Sequence, residues 1–202
     1  MADNRRMSQP SAEFVDAAVT SARATLAIEA EAVSALAQRL GQAFGMAVHV
    51  ANRSPVTSER YTAVYGLDEL NNMLGAVDIV VNTLPLTPST VSLIDGSAFT
   101  AMQRHCVFLN VGRGGVVDED ALYDALADKT IGGAIIDTWY SYPTDASTPH
   151  RPATRRFEDL PNIVMTPHMS GWTDGTVARR QATIADNITR LAEGRLLINQ
   201  LN

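Results

Sequence analysis

Five short runs rich in valine and isoleucine constrain the fold of this chain more than any other feature. Each run is four to seven residues long and is bounded by Gly, Pro or Asn: residues 46–51, 78–82, 106–111, 131–137 and 163–166. Runs that are apolar on both faces are typical of strands covered by helices on two sides. Because helix-like segments separate them, the runs predict an α/β domain with a parallel sheet.

The segments between the runs carry helix signals. The predicted helices are residues 67–74, 97–103, 118–127 and 174–193. Three acidic residues, Asp118, Glu119 and Asp120, favour a helix N-terminus, and Gly194 is expected to end the last helix. The polar, proline-bearing segment 141–156 predicts a surface loop. With 202 residues the chain is long enough for one sizeable core, so we expect a single domain over residues 1–202.

Composition excludes several partners. The net charge is −6, from 16 basic and 22 acidic residues, without a basic block, so we expect neither nucleic acid nor an anionic membrane as a partner. Arg5 and Arg6 precede no apolar segment, and no run is long enough to span a bilayer, so we expect a cytoplasmic protein. Cys106 is the single cysteine, so an internal disulfide is impossible, and its apolar neighbours predict a core position. We predict no metal site.

Four segments between residues 81 and 171 occur in an order that resembles a known family. They read VNTLPLTPST (81–90), FLNVGRGGVVDEDAL (108–122), GGAIIDTWYSYP (132–143) and NIVMTPHMSG (162–171). With GQAFGMAVHVANRSP (41–55), they resemble the nucleotide-binding lobe of the D-isomer-specific 2-hydroxyacid dehydrogenases, and linked motifs are more specific than one glycine pattern. The resemblance implies a three-layer, Rossmann-like, doubly wound parallel sheet that binds NAD or NADP. It also implies hydride transfer between the nicotinamide and a 2-keto or 2-hydroxy acid.

The resemblance assigns Arg113, in the sequence NVGRGG, to the carboxylate of the substrate. A planar guanidinium presents paired donors that match a carboxylate and stays charged at any working pH. The alternative interpretation is a surface arginine at the end of a strand.

His168, in the sequence TPHMSG, is by resemblance the general acid that protonates the carbonyl oxygen of the substrate. Imidazole titrates near neutrality, which suits this task. The family pairs this histidine with a glutamate, but Tyr142 occupies that position here, and a neutral phenol cannot stabilise imidazolium as a carboxylate does. The remaining histidines lie in no comparable motif: His49, His105 and His150.

The resemblance also assigns residues to the cofactor. Asp137 matches the family aspartate near the nicotinamide, and its alternative is a turn or helix cap after a strand. The other assigned positions on this side are Leu84, Pro85, Val111 and Gly171. After the first run come Asn52, Arg53 and Ser54, where NAD users carry an acidic residue, so they favour NADP slightly, with Arg53 placed for the 2′-phosphate. The alternative is a solvated turn.

The phosphate-binding loop departs from the family pattern. The three glycine positions of G-x-G-x-x-G align with alanines: Ala30, Ala32 and Ala35. Each adds a Cβ where a pyrophosphate or a neighbouring strand should lie, and the two glutamates at 29 and 31 add negative charge. These changes oppose the binding of pyrophosphate.

Two structures are compatible with residues 11–44. The first is a variant strand-turn-helix unit that supplies the central strand of a doubly wound sheet. The second is one continuous helix, because apolar residues recur at helical spacing, alanine is abundant and Gly45 suits a helix end. The sequence leaves both open, so the N-terminal segment is expected to be either βα or all helical.

Two classes of function also stay open. The first is a D-2-hydroxyacid dehydrogenase acting on a small 2-keto or 2-hydroxy acid. Residues 11–18 resemble the helix that crosses from the family's substrate lobe, so we expect this lobe to be absent and turnover by the chain alone to be weak or nil. The second is a non-catalytic, truncated or altered relative that acts in assembly or partner binding. A homodimer is compatible with the resemblance because family lobes pair with one another.

Overall fold

The computed structural model describes residues 44–54, 61–145 and 150–198, with the single positions 39, 56 and 59. The chain divides into a unit of His49–Thr173 and a second unit that combines Met1–Val48 with Asp174–Asn202. Most of the segment 11–44, including Ala30, Ala32 and Ala35, lies outside the described residues, so its two alternatives remain predictions. Among the described residues of this segment, Phe44 is helical and the following Gly45 has a φ of +65°.

The first unit contains six strands in two sheets, and the strands of each sheet are parallel. They are β1 (His49–Ala51), β2 (Ala63–Tyr65), β3 (Ile79–Asn82), β4 (Val107–Asn110), β5 (Gly133–Ile136) and β6 (Ile163–Met165). β1 pairs with β2, and the other four form a sheet in the order β3-β4-β5-β6. All five predicted strands are confirmed, each shorter than its apolar run. β2 was not predicted, because its apolar run is only the three residues 63–65, whereas β1 and β6 lie within the longer runs 46–51 and 163–166.

The predicted helices are confirmed with small changes at their ends. They are α1 (Leu70–Leu74, preceded by a 3-10 turn at Leu67–Glu69), α2 (Gly96–Ala101), α3 (Glu119–Ala127) and α4 (Asp174–Ala192). Asp118 caps α3 by accepting a hydrogen bond from the Ala121 N–H at 2.9 Å, which satisfies one of the N–H groups that a helix start leaves unpaired. Gly194 follows α4 with a φ of +66°, as expected of a glycine at a helix end.

The core of the first unit lies on one face of the four-stranded sheet. Val80 and Phe108 face it from the strands, and Leu74, Phe99 and Leu122 face it from the helices. The rings of Phe99 and Phe108 meet edge to face, with centroids 5.4 Å apart. Full burial of each large side chain contributes about 2 kcal/mol. On the other face of β3, Ile79 and Val81 remain 44% and 41% exposed.

Cys106 confirms its predicted place in this core, since it has no exposed surface. Burial raises the pKa of its thiol to about 11. The described parts of segment 141–156, residues 141–145 and 150–156, contain neither helix nor strand, as expected of a loop. In the part of the chain that the structure describes, no helix is both long and apolar enough to cross a bilayer.

Candidate active site

The carboxyl ends of β3 to β6 lie at one edge of the sheet because all four strands are parallel. In open α/β sheets this edge is where ligands bind. The loops that leave it carry Leu84 and Pro85 after β3, Arg113 after β4, Asp137 and Tyr142 after β5, and His168 after β6. The fold therefore gathers at one edge the assigned residues that follow these four strands.

Arg113 follows β4 and directly precedes a 3-10 turn at Gly114–Val116. Its side chain is exposed, and its Nη1 donates to the carbonyl of Gly112 at 2.8 Å. This bond uses one of the several N–H donors of the guanidinium. The geometry leaves a cation at the edge of the sheet with donors for a further acceptor.

Two asparagines that were not assigned from the sequence support this loop. Asn82 and Asn110 end β3 and β4 at matched register and are 4% and 1% exposed. The amide of Asn82 donates to Oδ1 of Asn110 at 2.9 Å, and that oxygen also accepts from the Gly112 N–H at 3.2 Å. Asn110 Nδ2 donates to the carbonyl of Arg113 at 3.3 Å. The sequence signal that could have found them is a polar residue at the end of each of two apolar runs. A buried amide needs hydrogen-bond partners, so such a residue indicates a polar contact at the strand end.

Two glycines of the GRGG motif allow neighbouring loops to touch. A Cβ on Gly112 would lie 2.8 Å from the carbonyl oxygen of Leu84, and a Cβ on Gly114 would overlap the carbonyl of Trp139. Only a residue without a side chain fits such approaches. The loop of Arg113 is therefore in contact with the loops on both sides of it.

His168 lies in the loop after β6, with an exposed side chain and a φ of 59°. The carboxylate of Asp137 accepts hydrogen bonds from Oγ1 of Thr166 at 2.6 Å, from the Met169 N–H at 2.8 Å and from the Ser170 N–H at 2.9 Å. Burial alone would raise the pKa of Asp137, but the hydrogen bonds from these three residues outweigh it and hold the pKa well below its usual range. Asp137 is therefore a buried anion that binds the loop carrying His168.

Tyr142 lies beside His168, where the resemblance places a glutamate. The two rings are tilted by 43°, and their centroids are 5.5 Å apart. The Tyr142 hydroxyl accepts from the backbone N–H of Trp139 at 3.0 Å, and the indole of Trp139 donates to the carbonyl of Thr166 at 2.9 Å. The loops after β5 and β6 are thus joined around the histidine.

The positions assigned to the cofactor have different surroundings. Leu84 and Val111 are half-buried, and the carbonyl of Pro85 accepts from Oγ1 of Thr90 at 2.7 Å. Gly171 is exposed, and a Cβ there would meet nothing within 4 Å.

The segment after β1 has the geometry of a turn. Asn52 donates from Nδ2 to the carbonyl of Ser54 at 3.2 Å, and Arg53 is exposed between them. Both interpretations of this segment, a solvated turn and a 2′-phosphate site, agree with that geometry.

A parallel α/β sheet that carries a cation, an imidazole and a buried carboxylate on adjacent carboxyl-end loops defines a class, the Rossmann-like domain of dinucleotide-dependent oxidoreductases. The family described as "D-isomer specific 2-hydroxyacid dehydrogenase, NAD binding domain" matches residues 30–170. The chain belongs to the D-isomer specific 2-hydroxyacid dehydrogenase family, and the match confirms the resemblance of its motifs.

Individual relatives agree with this family. Glyoxylate/hydroxypyruvate reductase B of Citrobacter koseri is 34% identical over 170 residues, which cover 83% of this chain and 50% of that protein. The protein of the same name from Pectobacterium carotovorum is 35% identical with the same coverage. The chain therefore spans about half the length of the curated relatives that it matches.

Solved structures show the same fold. The D-isomer specific 2-hydroxyacid dehydrogenase of Xanthobacter autotrophicus Py2 superposes with a TM-score of 0.65 at 32% identity, covering 83% of this chain and 52% of that one. An NADPH-dependent glyoxylate/hydroxypyruvate reductase of Sinorhizobium meliloti, solved with NADP and sulfate, gives a TM-score of 0.63 at 29% identity, covering 80% of this chain and 50% of that one. The predicted Rossmann-like fold and the NAD(P)-binding class are thus confirmed.

Proposed function

We propose that this chain is the cofactor-binding half of an enzyme that transfers hydride between NADP or NAD and a small 2-keto or 2-hydroxy acid. One observation carries the proposal: His168 and Arg113 stand on carboxyl-end loops that are joined through the loop of Asp137 and Trp139. An acid and a carboxylate-binding cation are the two protein groups that this reaction needs. The named relatives favour glyoxylate or hydroxypyruvate as the substrate.

The described residues divide the work as follows. Arg113 binds the carboxylate of the keto acid and fixes its orientation at the edge of the sheet. His168 gives its proton to the carbonyl oxygen as carbon is reduced, and it takes the proton back in the reverse direction. The nicotinamide cofactor, when bound, supplies or accepts the hydride.

The described residues fit such a cofactor at two places. Leu84 and Val111 offer half-buried apolar contact at the edge of the sheet, which suits a nicotinamide ring. The exposed guanidinium of Arg53 at the end of β1 suits the 2′-phosphate of NADP. Ala30, Ala32 and Ala35 stand where glycines bind the pyrophosphate in the family, so we propose weakened affinity and weak or no turnover by this chain alone.

A non-catalytic relative is the second candidate, and Tyr142 favours it. The phenol beside His168 carries no charge, and its hydroxyl is already bonded to the Trp139 N–H. Such a domain would act in assembly or partner binding, for example as a homodimer in the cytoplasm.

Calorimetric titration of the purified chain with NADPH and with NADH tests the cofactor. We expect saturable binding that is tighter for NADPH, and we expect Arg53→Ala to remove this preference because the 2′-phosphate loses its guanidinium. Arg104→Ala, at an exposed arginine outside the motifs, is the matched control and should bind both as the parent does. No binding of either cofactor up to millimolar concentration would reject the proposal and favour the non-catalytic relative.

Activity is measured separately as NADPH oxidation with glyoxylate or hydroxypyruvate. We expect weak or no turnover, and any turnover should be lost in His168→Gln. Turnover that survives this substitution would remove His168 from the mechanism.

A further inference from the structure

His168 holds a backbone conformation that side chains avoid. Its φ is 59°, and among the residues that the structure describes only Ser92 and Lys129 share this property outside glycine. The left-handed region costs free energy for a residue with a Cβ, so it persists only where surrounding contacts enforce it.

The enforcing contacts come from Asp137. One carboxylate oxygen accepts from Thr166 Oγ1, two residues before His168, and from the Met169 N–H, one residue after it. The other oxygen accepts from the Ser170 N–H. The carboxylate therefore binds the loop on both sides of the strained residue, and it is only 2% exposed.

A second contact supports the same loop. The indole of Trp139, two residues after Asp137, donates to the carbonyl of Thr166. The backbone N–H of Trp139 in turn donates to the hydroxyl of Tyr142, whose ring packs against His168. Residues 137–142 thus contact the loop on both sides of His168 and the ring of His168 itself.

We propose that Asp137 is a positioning residue that holds His168 in the left-handed conformation and thereby directs its imidazole toward Tyr142 and the open edge of the sheet. The resemblance assigns this aspartate to the nicotinamide, whereas the geometry assigns its carboxylate to the loop of the histidine. The catalytic meaning of this placement rests on the proposed function. The placement itself depends only on contacts within the chain.

The test is NMR of the full labelled chain carrying Asp137→Asn. The amide nitrogen of asparagine cannot accept a hydrogen bond, so at least one bond to the loop is lost while the volume is kept. We expect the HN–Hα coupling and the Cα and Cβ chemical shifts of His168 to show that its φ is no longer positive. We also expect the contact between the Tyr142 and His168 rings to weaken. The same change at exposed Asp128 is the control. A folded Asp137→Asn chain that keeps both features would overturn the assignment.

Thr166 provides a second pair of variants should Asp137→Asn fail to fold. Thr166→Val removes the hydroxyl bond to Asp137, and Thr166→Ser retains it. We expect exchange broadening at residues 168–170 in the valine variant and parental spectra in the serine variant. Identical spectra for the two variants would reject the assignment.

These measurements need neither substrate nor cofactor, so they are independent of the proposed function. Failure of the cofactor titration would leave a confirmed positioning role intact, and retention of φ in Asp137→Asn would reject that role alone. If the chain turns over, Asp137→Asn should lower kcat several-fold and alter the pH profile, with a smaller effect on KM.

Discussion

The ring of Tyr142 lies 5.5 Å from the ring of His168, while the Tyr142 hydroxyl is bonded to the Trp139 N–H at 3.0 Å. The phenol therefore offers the histidine an apolar face instead of a charge. The family resemblance places a glutamate at this position, so the substitution changes the electrostatics of the site while keeping a side chain in contact with the imidazole.

Asp137 should make the stability of the fold depend on pH. Its pKa in the folded chain is lowered by hydrogen bonds that outweigh burial, whereas the pKa of an unfolded aspartate is about 3.9. The stabilisation is thus complete above about pH 4 and is lost as pH falls toward the folded pKa. Urea unfolding of the parent and of Asp137→Asn should differ by about 2 kcal/mol near pH 7, a typical value for hydrogen bonds to a charged group.

The same comparison at lower pH provides the check. The difference between the parent and Asp137→Asn should shrink as pH falls below about 4, since the aspartate of the unfolded parent then takes up a proton that the folded carboxylate does not. A difference that stays constant from pH 7 to pH 3 would show that the charge of Asp137 is not responsible.

Gly114→Ala should destabilise the first unit far more than Gly115→Ala. A Cβ on Gly114 would overlap the backbone carbonyl of Trp139, so the two loops must separate, at a cost of about 2 kcal/mol or more. A Cβ on Gly115 would lie 3.2 Å from a methyl group of Leu86, an exposed side chain that can turn away. Equal midpoints in urea for the two variants would contradict the contact between Gly114 and Trp139.

Cys106 should be unreactive in the folded chain. The thiol is fully buried, and burial raises its pKa to about 11, so little thiolate forms at pH 8. We expect slow modification by a thiol reagent in buffer and rapid modification in urea, followed by absorbance. Rapid modification in buffer would mean that the core around β4 opens readily.

The strands of the larger sheet could be predicted because each is apolar on both faces. Parallel strands are typically covered on both faces, so a few consecutive apolar residues, such as 107–110 and 133–136, indicate the strand. β2 lacked this signal, because its apolar run is only three residues long. The motifs likewise placed Arg113, Asp137, Tyr142 and His168 at one edge of the sheet.

The contacts between the loops could not be predicted. The bonds from Asp137 to Met169 and Ser170 join residues more than thirty positions apart, and their geometry depends on how two loops meet after folding. The pairing of Asn82 with Asn110 depends on the register of β3 and β4, which the local sequence does not encode.

The contacts of Gly112 with Leu84 and of Gly114 with Trp139 have a consequence for how such chains can vary in length. Adding or deleting a residue in one carboxyl-end loop would displace the loops beside it, because their backbones touch. Insertions and deletions among relatives should therefore accumulate at the opposite edge of the sheet. The turn at Lys129, which already accommodates a φ of 57° between α3 and β5, is a suitable place to graft a tag or a short peptide.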